Sequence, residues 1–145
     1  MAEYSTNDSG PHHRWATGTL FDNVKDTLLR VQNRTDSGSG HGWAGAQQLL
    51  WNSELSEFVL QAPPYAMNWA VGVIGQRIDG RFSPDETDGI IQNTGRHVKV
   101  RSLYLQQLKD RLGEQAVHNI TLPAQRSRPI WDDLAAWAGE GRFGR

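Results

Sequence analysis

His41-Gly42-Trp43-Ala44-Gly45-Ala46-Gln47-Gln48-Leu49-Leu50-Trp51-Asn52 is the stretch that decides the reading of the fold, because it is echoed once before and once after. The earlier echo is Trp15-Ala16-Thr17-Gly18-Thr19-Leu20-Phe21-Asp22-Asn23-Val24, and the later one is Trp69-Ala70-Val71-Gly72-Val73-Ile74-Gly75-Gln76. Trp-Ala therefore recurs after 28 residues (15 to 43) and again after 26 (43 to 69). A period in the twenties is the signature of stacked repeats, each of which buries its apolar face only against a neighbour. Within each echo the residues at even positions from Trp, such as Ala44, Ala46, Gln48 and Leu50, are mostly small or apolar, while the odd ones are larger and mixed. Successive strand residues point to opposite faces, so the even set is the expected interior. Gln48 breaks the pattern and, if buried, needs a hydrogen-bond partner.

A second set of short apolar runs follows: Thr27-Leu28-Leu29-Arg30-Val31, Glu57-Phe58-Val59-Leu60-Gln61 and, for the third unit, Gly89-Ile90-Ile91-Gln92. Two strands per unit joined by turns predict an all-β solenoid, a right-handed parallel β-helix of about three coils with a C-terminal helical cap. Asn23 and Asn52 fall at matching strand ends, where stacked amides are expected to bond one another.

Four segments then carry a family resemblance. Gly10-Pro11-His12-His13-Arg14-Trp15-Ala16-Thr17-Gly18, Gly40-His41-Gly42-Trp43-Ala44-Gly45-Ala46, Ala62-Pro63-Pro64-Tyr65-Ala66-Met67-Asn68-Trp69-Ala70 and Arg101-Ser102-Leu103-Tyr104-Leu105-Gln106-Gln107-Leu108 resemble the last coils and tail of pectate-lyase-like parallel β-helix proteins. The resemblance spans roughly residues 9 to 120. It implies a polysaccharide lyase or hydrolase, or a relative that only binds carbohydrate. Such relatives are usually longer and secreted, so this chain would lack whatever upstream coils build.

Bulk properties bound the rest. The chain of 145 residues suits one domain with a modest core. A net charge of −1 offers no field that would draw nucleic acid or an anionic membrane. No apolar run is long enough to span a bilayer, and no signal-peptide core is present. Cysteine is absent, which excludes disulfides and thiolate metal sites.

In chain order, residues 1–10 read as a flexible polar lead-in, 11–100 as the coils, and 101–145 as a helical cap and tail. Ser102 is a suitable N-cap for a helix over 102–112, with Gly113 as its stop. Glu114–Asn119 adds a short helical turn, 123–128 reads as a linker, and Pro129 opens a last helix reaching Ala138. The polar lead-in is too short to cover the first coil, so its open edge predicts self-association.

Candidate site residues follow from parity. His13, His41 and Met67 each lie two before a Trp-Ala pair, which would align them in one outward column beside Trp15, Trp43 and Trp69. The tryptophans are either a structural stack or a platform for sugar rings. The histidines admit three readings. They are ordinary polar surface; or His13, Arg14 and His41 are catalytic, removing a proton α to a uronate carboxylate that Arg14 or Arg77 neutralises; or His12, His13, His41 and Met67 bind a metal, a donor set that suits copper. Asp85, Glu86 and Asp88 crowd one loop and would suit calcium instead. The expected partner is a polysaccharide, with Trp15, Trp43, Trp69 and Arg77 as its contacts. A non-catalytic carbohydrate-binding or structural fragment is the alternative.

Overall fold

The computed structural model describes residues 7–137. Its strands are β1 (Leu20–Asp22), β2 (Lys25–Asn33), β3 (Trp43–Ala44), β4 (Leu49–Trp51), β5 (Glu54–Leu60), β6 (Trp69–Val71), β7 (Ile74–Arg77) and β8 (Ile90–Gln92). The helices are a short turn α1 (Ser37–Gly40), then α2 (Leu103–Leu112), α3 (Glu114–Ile120), α4 (Pro123–Ser127) and α5 (Trp131–Ala136). One sheet, β1-β4-β6-β8, is parallel throughout. The other, β3-β2-β5-β7, is mixed, because β3 runs antiparallel to β2.

This corrects the expectation of an all-β parallel β-helix of about three coils: the described residues form a mixed α/β fold with two sheets and five helices. The three Trp-Ala echoes are not equivalent in space. Trp15 lies outside any strand with φ 77°, Trp43 pairs antiparallel with Asn33, and Trp69 sits in a parallel ladder between Leu49 and Ile90. Pairing in the parallel sheet steps by 29 residues (Leu20 to Leu49), 20 (Leu49 to Trp69) and 21 (Trp69 to Ile90), so the sequence period is not the structural one. The cause lies in residues 34–42, where Arg34 N–H donates to Gly42 O at 2.7 Å and Gly42 N–H to Thr35 O at 2.8 Å. That closed loop reverses the chain before Trp43 can enter a parallel strand.

The third echo also divides. Gly72, with φ 70°, splits it into β6 and β7, which join different sheets, and β7 rather than Ile90–Gln92 pairs with β5. Asn23, Asn52 and Asn93 take the same left-handed backbone after β1, β4 and β8 (φ 56°, 45° and 53°). Such residues are those that tolerate positive φ at a sharp turn. At Gly72 a Cβ would lie 2.2 Å from Asn52 Oδ1, so glycine there leaves room for the asparagine.

Face parity holds where pairing is regular. Ala44, Gln48, Leu50 and Ala70 are fully buried, whereas after the Gly72 turn Val73 is buried and Ile74 exposed. Leu29, Val31, Leu50, Leu55, Phe58, Leu60, Ala70 and Val73 form the core between the sheets. Gln48 finds its partners by donating to Ala16 O at 2.9 Å and Ala46 O at 3.0 Å. The asparagines do not bond one another as expected. Asn52 donates to the carbonyls of Val98, Val100 and Arg101 and accepts from Val98 N–H, and Asn23 donates to Arg101 O. They fasten the segment that leads to α2.

Ser102 caps α2 by accepting from Leu105 N–H at 3.1 Å, and Gly113 ends it with φ 82°. The expected linker at 123–128 is instead α4, opened by Pro123 and closed at its start by Gln125 Oε1 accepting from Leu122 N–H. The lead-in is held as well as polar: Ser9 pairs with β2, donating to Leu28 O and accepting from Arg30 N–H, beside an Asp8–Arg30 ion pair of 3.4 Å. Ser9 and β3 lie along the edge of β2 over residues 28–33. Residues 1–6 of the lead-in, and the predicted end of the last helix with its tail, lie outside the described residues.

Candidate functional site

Two backbone devices bring distant histidines together. The strap that starts with Ser9 on β2 continues through His12 and His13 to Arg14, whose N–H donates to His41 O at 3.1 Å. On the other side, His41 closes α1 by donating its N–H to Ser37 O at 3.1 Å. Gly38 (φ 61°) makes room for the ring, since a Cβ there would stand 2.3 Å from His41 Nε2. The three imidazoles then gather, with ring centroids 4.8 Å apart for His12–His13, 4.7 Å for His12–His41 and 4.0 Å for His13–His41. One ring nitrogen from each lies within 4.8 Å of the others.

His12 and His13 are exposed, whereas His41 is only 8 % exposed and its Nδ1 is buried with no hydrogen-bond partner. Burial lowers the His41 pKa, and the charges of His13, His12, Arg34 and Arg14 lower it further. The ring therefore takes up a proton less readily than a free imidazole, which favours the neutral form that ligates a metal. Tetrahedral coordination at roughly 2.0–2.1 Å from each nitrogen requires nitrogens about 3.4 Å apart. Exposed His12 and His13 can rotate to close that difference, while the buried ring supplies the fixed point. Among the described residues this is the one group of three or more His, Asp or Glu side chains with ligand atoms so close together.

The other predicted residues disperse. Trp15 is 92 % exposed next to Arg14, whereas Trp43 and Trp69 are half-buried in different sheets, so the expected tryptophan column does not form. Arg77 is engaged by Asp79 and by Asp88, the latter at 2.8 Å, so it lies in an ion-pair group of its own and not beside the histidines. Met67 accepts from Gln47 N–H at 2.9 Å through its carbonyl. In the acidic loop, Glu86 Oε1 accepts from Asn33 and Ser83, and Asp88 binds Arg77, so these carboxylates do not converge as a calcium site needs.

The sequence reading missed three residues around this cluster. They are Arg34, Arg81 and Phe82. In the structure Arg34 and Arg81 flank the Phe82 ring at 5.2 and 5.4 Å. No local signal in the sequence marks them, since loop 81–82 reaches Arg34 only through long-range bonds such as Arg81 N–H to Gln32 Oε1 at 2.9 Å. A larger cavity of about 820 Å³ lies between β1 and the C-terminal helices, and none of the predicted site residues lines it. Comparison of the chain with family models, curated proteins and solved structures finds no match.

Proposed function

We propose that His12, His13 and His41 bind a divalent transition-metal ion, zinc or copper(II). The observation that carries this reading is the gathering of three imidazoles from two separate segments, one ring nitrogen of each within 4.8 Å of the others, with the Nδ1 of the buried His41 ring left without a partner. Nitrogen donors without thiolate or carboxylate suit zinc and copper and do not suit calcium or magnesium. Three protein ligands leave a coordination position for water or substrate, and a zinc-bound water there is acidic enough to supply hydroxide near neutral pH. Calorimetric titration with zinc and with copper(II) tests the reading. One ion per chain is expected, with affinity lowered at least about tenfold in the His12→Ala/His13→Ala protein, the cost typical of damaging a metal's coordination. Both rings are exposed, so that variant should keep its fold. Equal affinity in the variant would contradict the proposal.

A second reading, a carbohydrate-active protein related to polysaccharide lyases or hydrolases, is favoured by one observation. Trp15, whose indole is exposed, directly follows His13 and Arg14 in the chain, and a sugar ring could stack on it while His13, Arg14 and His41 act. Unsaturated uronate absorbance on a panel of acidic polysaccharides tests it. Product that disappears in His13→Ala would support the lyase reading, and binding without product would favour the non-catalytic alternative.

A further inference from the structure

We infer that the cavity adjoining the histidine cluster is an oxyanion pocket, which receives a phosphate or carboxylate group beside the metal position. The cavity measures about 220 Å³ and is lined by Asp8, Pro11, His12, Arg34, Arg81 and Phe82, among others. That is below the roughly 300–1,000 Å³ of sites for drug-sized ligands, so it fits a small charged group rather than a whole large molecule. His12 belongs both to this wall and to the imidazole group, so the two sites share a boundary.

The charge on the wall selects the ligand. Asp8 is offset by Arg30 at 3.4 Å, whereas neither Arg34 nor Arg81 is paired with a carboxylate among the described residues. Arg34 Nε is, in addition, buried with no hydrogen-bond partner. In the neighbouring loop Glu86 is committed to Asn33 and Ser83, and Asp88 to Arg77. Two guanidinium groups held on one aromatic ring repel each other until an anion lies between or across them. Their planar forks of donors match the two oxygens of a carboxylate or phosphate. Phe82 keeps both groups in place by cation–π attraction, and the Gln32 bond to Arg81 N–H fixes the loop that carries one of them. The inference deepens the metal reading, since His12 belongs to both sites, but the pocket itself is formed without any metal.

Calorimetric titration of metal-free protein with inorganic phosphate and, separately, with glucuronate distinguishes the two sources of the anion. At least one should bind with a single site per chain. Arg81→Gln, at an exposed position, should weaken that binding about tenfold or more, as expected for losing a charged hydrogen bond. Arg34→Gln should do the same, and Arg81→Gln should bind zinc as the parent does. His13→Ala, outside the lining of the cavity, should bind the anion as the parent does and bind zinc more weakly, so the failure of one site is readable apart from the failure of the other. Absence of binding by both anions, or unchanged anion affinity in Arg81→Gln with its melting temperature intact, would overturn the pocket.

Discussion

His41 is the residue on which the site turns, because it combines burial, a missing partner and a position set by its own loop. Gly38 makes that position possible, so Gly38→Ala should both strain the φ of 61° and push the ring away. We expect zinc affinity to fall at least about tenfold, with a stability loss on the order of 1 kcal/mol. A zinc titration beside a chemical denaturation curve checks this, and unchanged affinity would contradict the placement of His41. The lowered His41 pKa also has a sign that can be tested. Because the folded ring takes up a proton less readily than the unfolded one, the unfolded chain holds more protons once the pH falls below about 6.5. Stability of the metal-free protein should therefore hold above that value and decline as pH drops through the folded pKa. Replacement by Gln should flatten this part of the profile, and identical profiles would show that His41 does not report its burial in this way.

At the scale of elements, the corner asparagines matter more than the repeats that drew attention to them. Asn52 is buried and makes four hydrogen bonds to the 98–101 segment, three through Nδ2 and one through Oδ1. Asn52→Ala should leave the part-buried backbone groups of residues 98–101 without these bonds and cost about 1–3 kcal/mol, read from a denaturation midpoint. A change confined to a few tenths would show that water replaces those bonds. Ala44→Leu tests the parity of the strands, since Ala44 is wholly buried where β3 meets β2. Overpacking of about 1–3 kcal/mol is expected, and an unaltered melting temperature would mean the site can open.

Strand identity was legible in Leu49-Leu50-Trp51 and Glu57-Phe58-Val59-Leu60 because alternation is local. Partnership was not, because the 34–42 loop and the Gly72 turn redirect the chain through backbone geometry that Trp-Ala spacing does not encode. The helix α2 was legible from Ser102 and Gly113, while α4 was hidden by a proline that favours a first turn as readily as a linker.

Over the whole molecule, the candidate site joins the strap at residues 9–14 to the loop at 34–42, two segments that the sequence places about 30 residues apart. His12, His13, Arg14 and His41 could be picked out as chemistry-bearing residues from the sequence, but the burial of His41 and the guanidinium pair around Phe82 arise only from tertiary contact. An ion that binds only the folded chain should stabilise it by about 2.7 kcal/mol when present at a hundredfold excess over its dissociation constant. Melting curves with and without zinc would show this, and a zinc-independent midpoint would count against the site. The most direct measurement is the electron paramagnetic resonance spectrum of the protein with one equivalent of copper(II). The account predicts coupling to imidazole nitrogens that disappears when His12, His13 and His41 are all replaced by alanine. A spectrum of hydrated copper, or a nitrogen-coupled spectrum unchanged by those replacements, would contradict it.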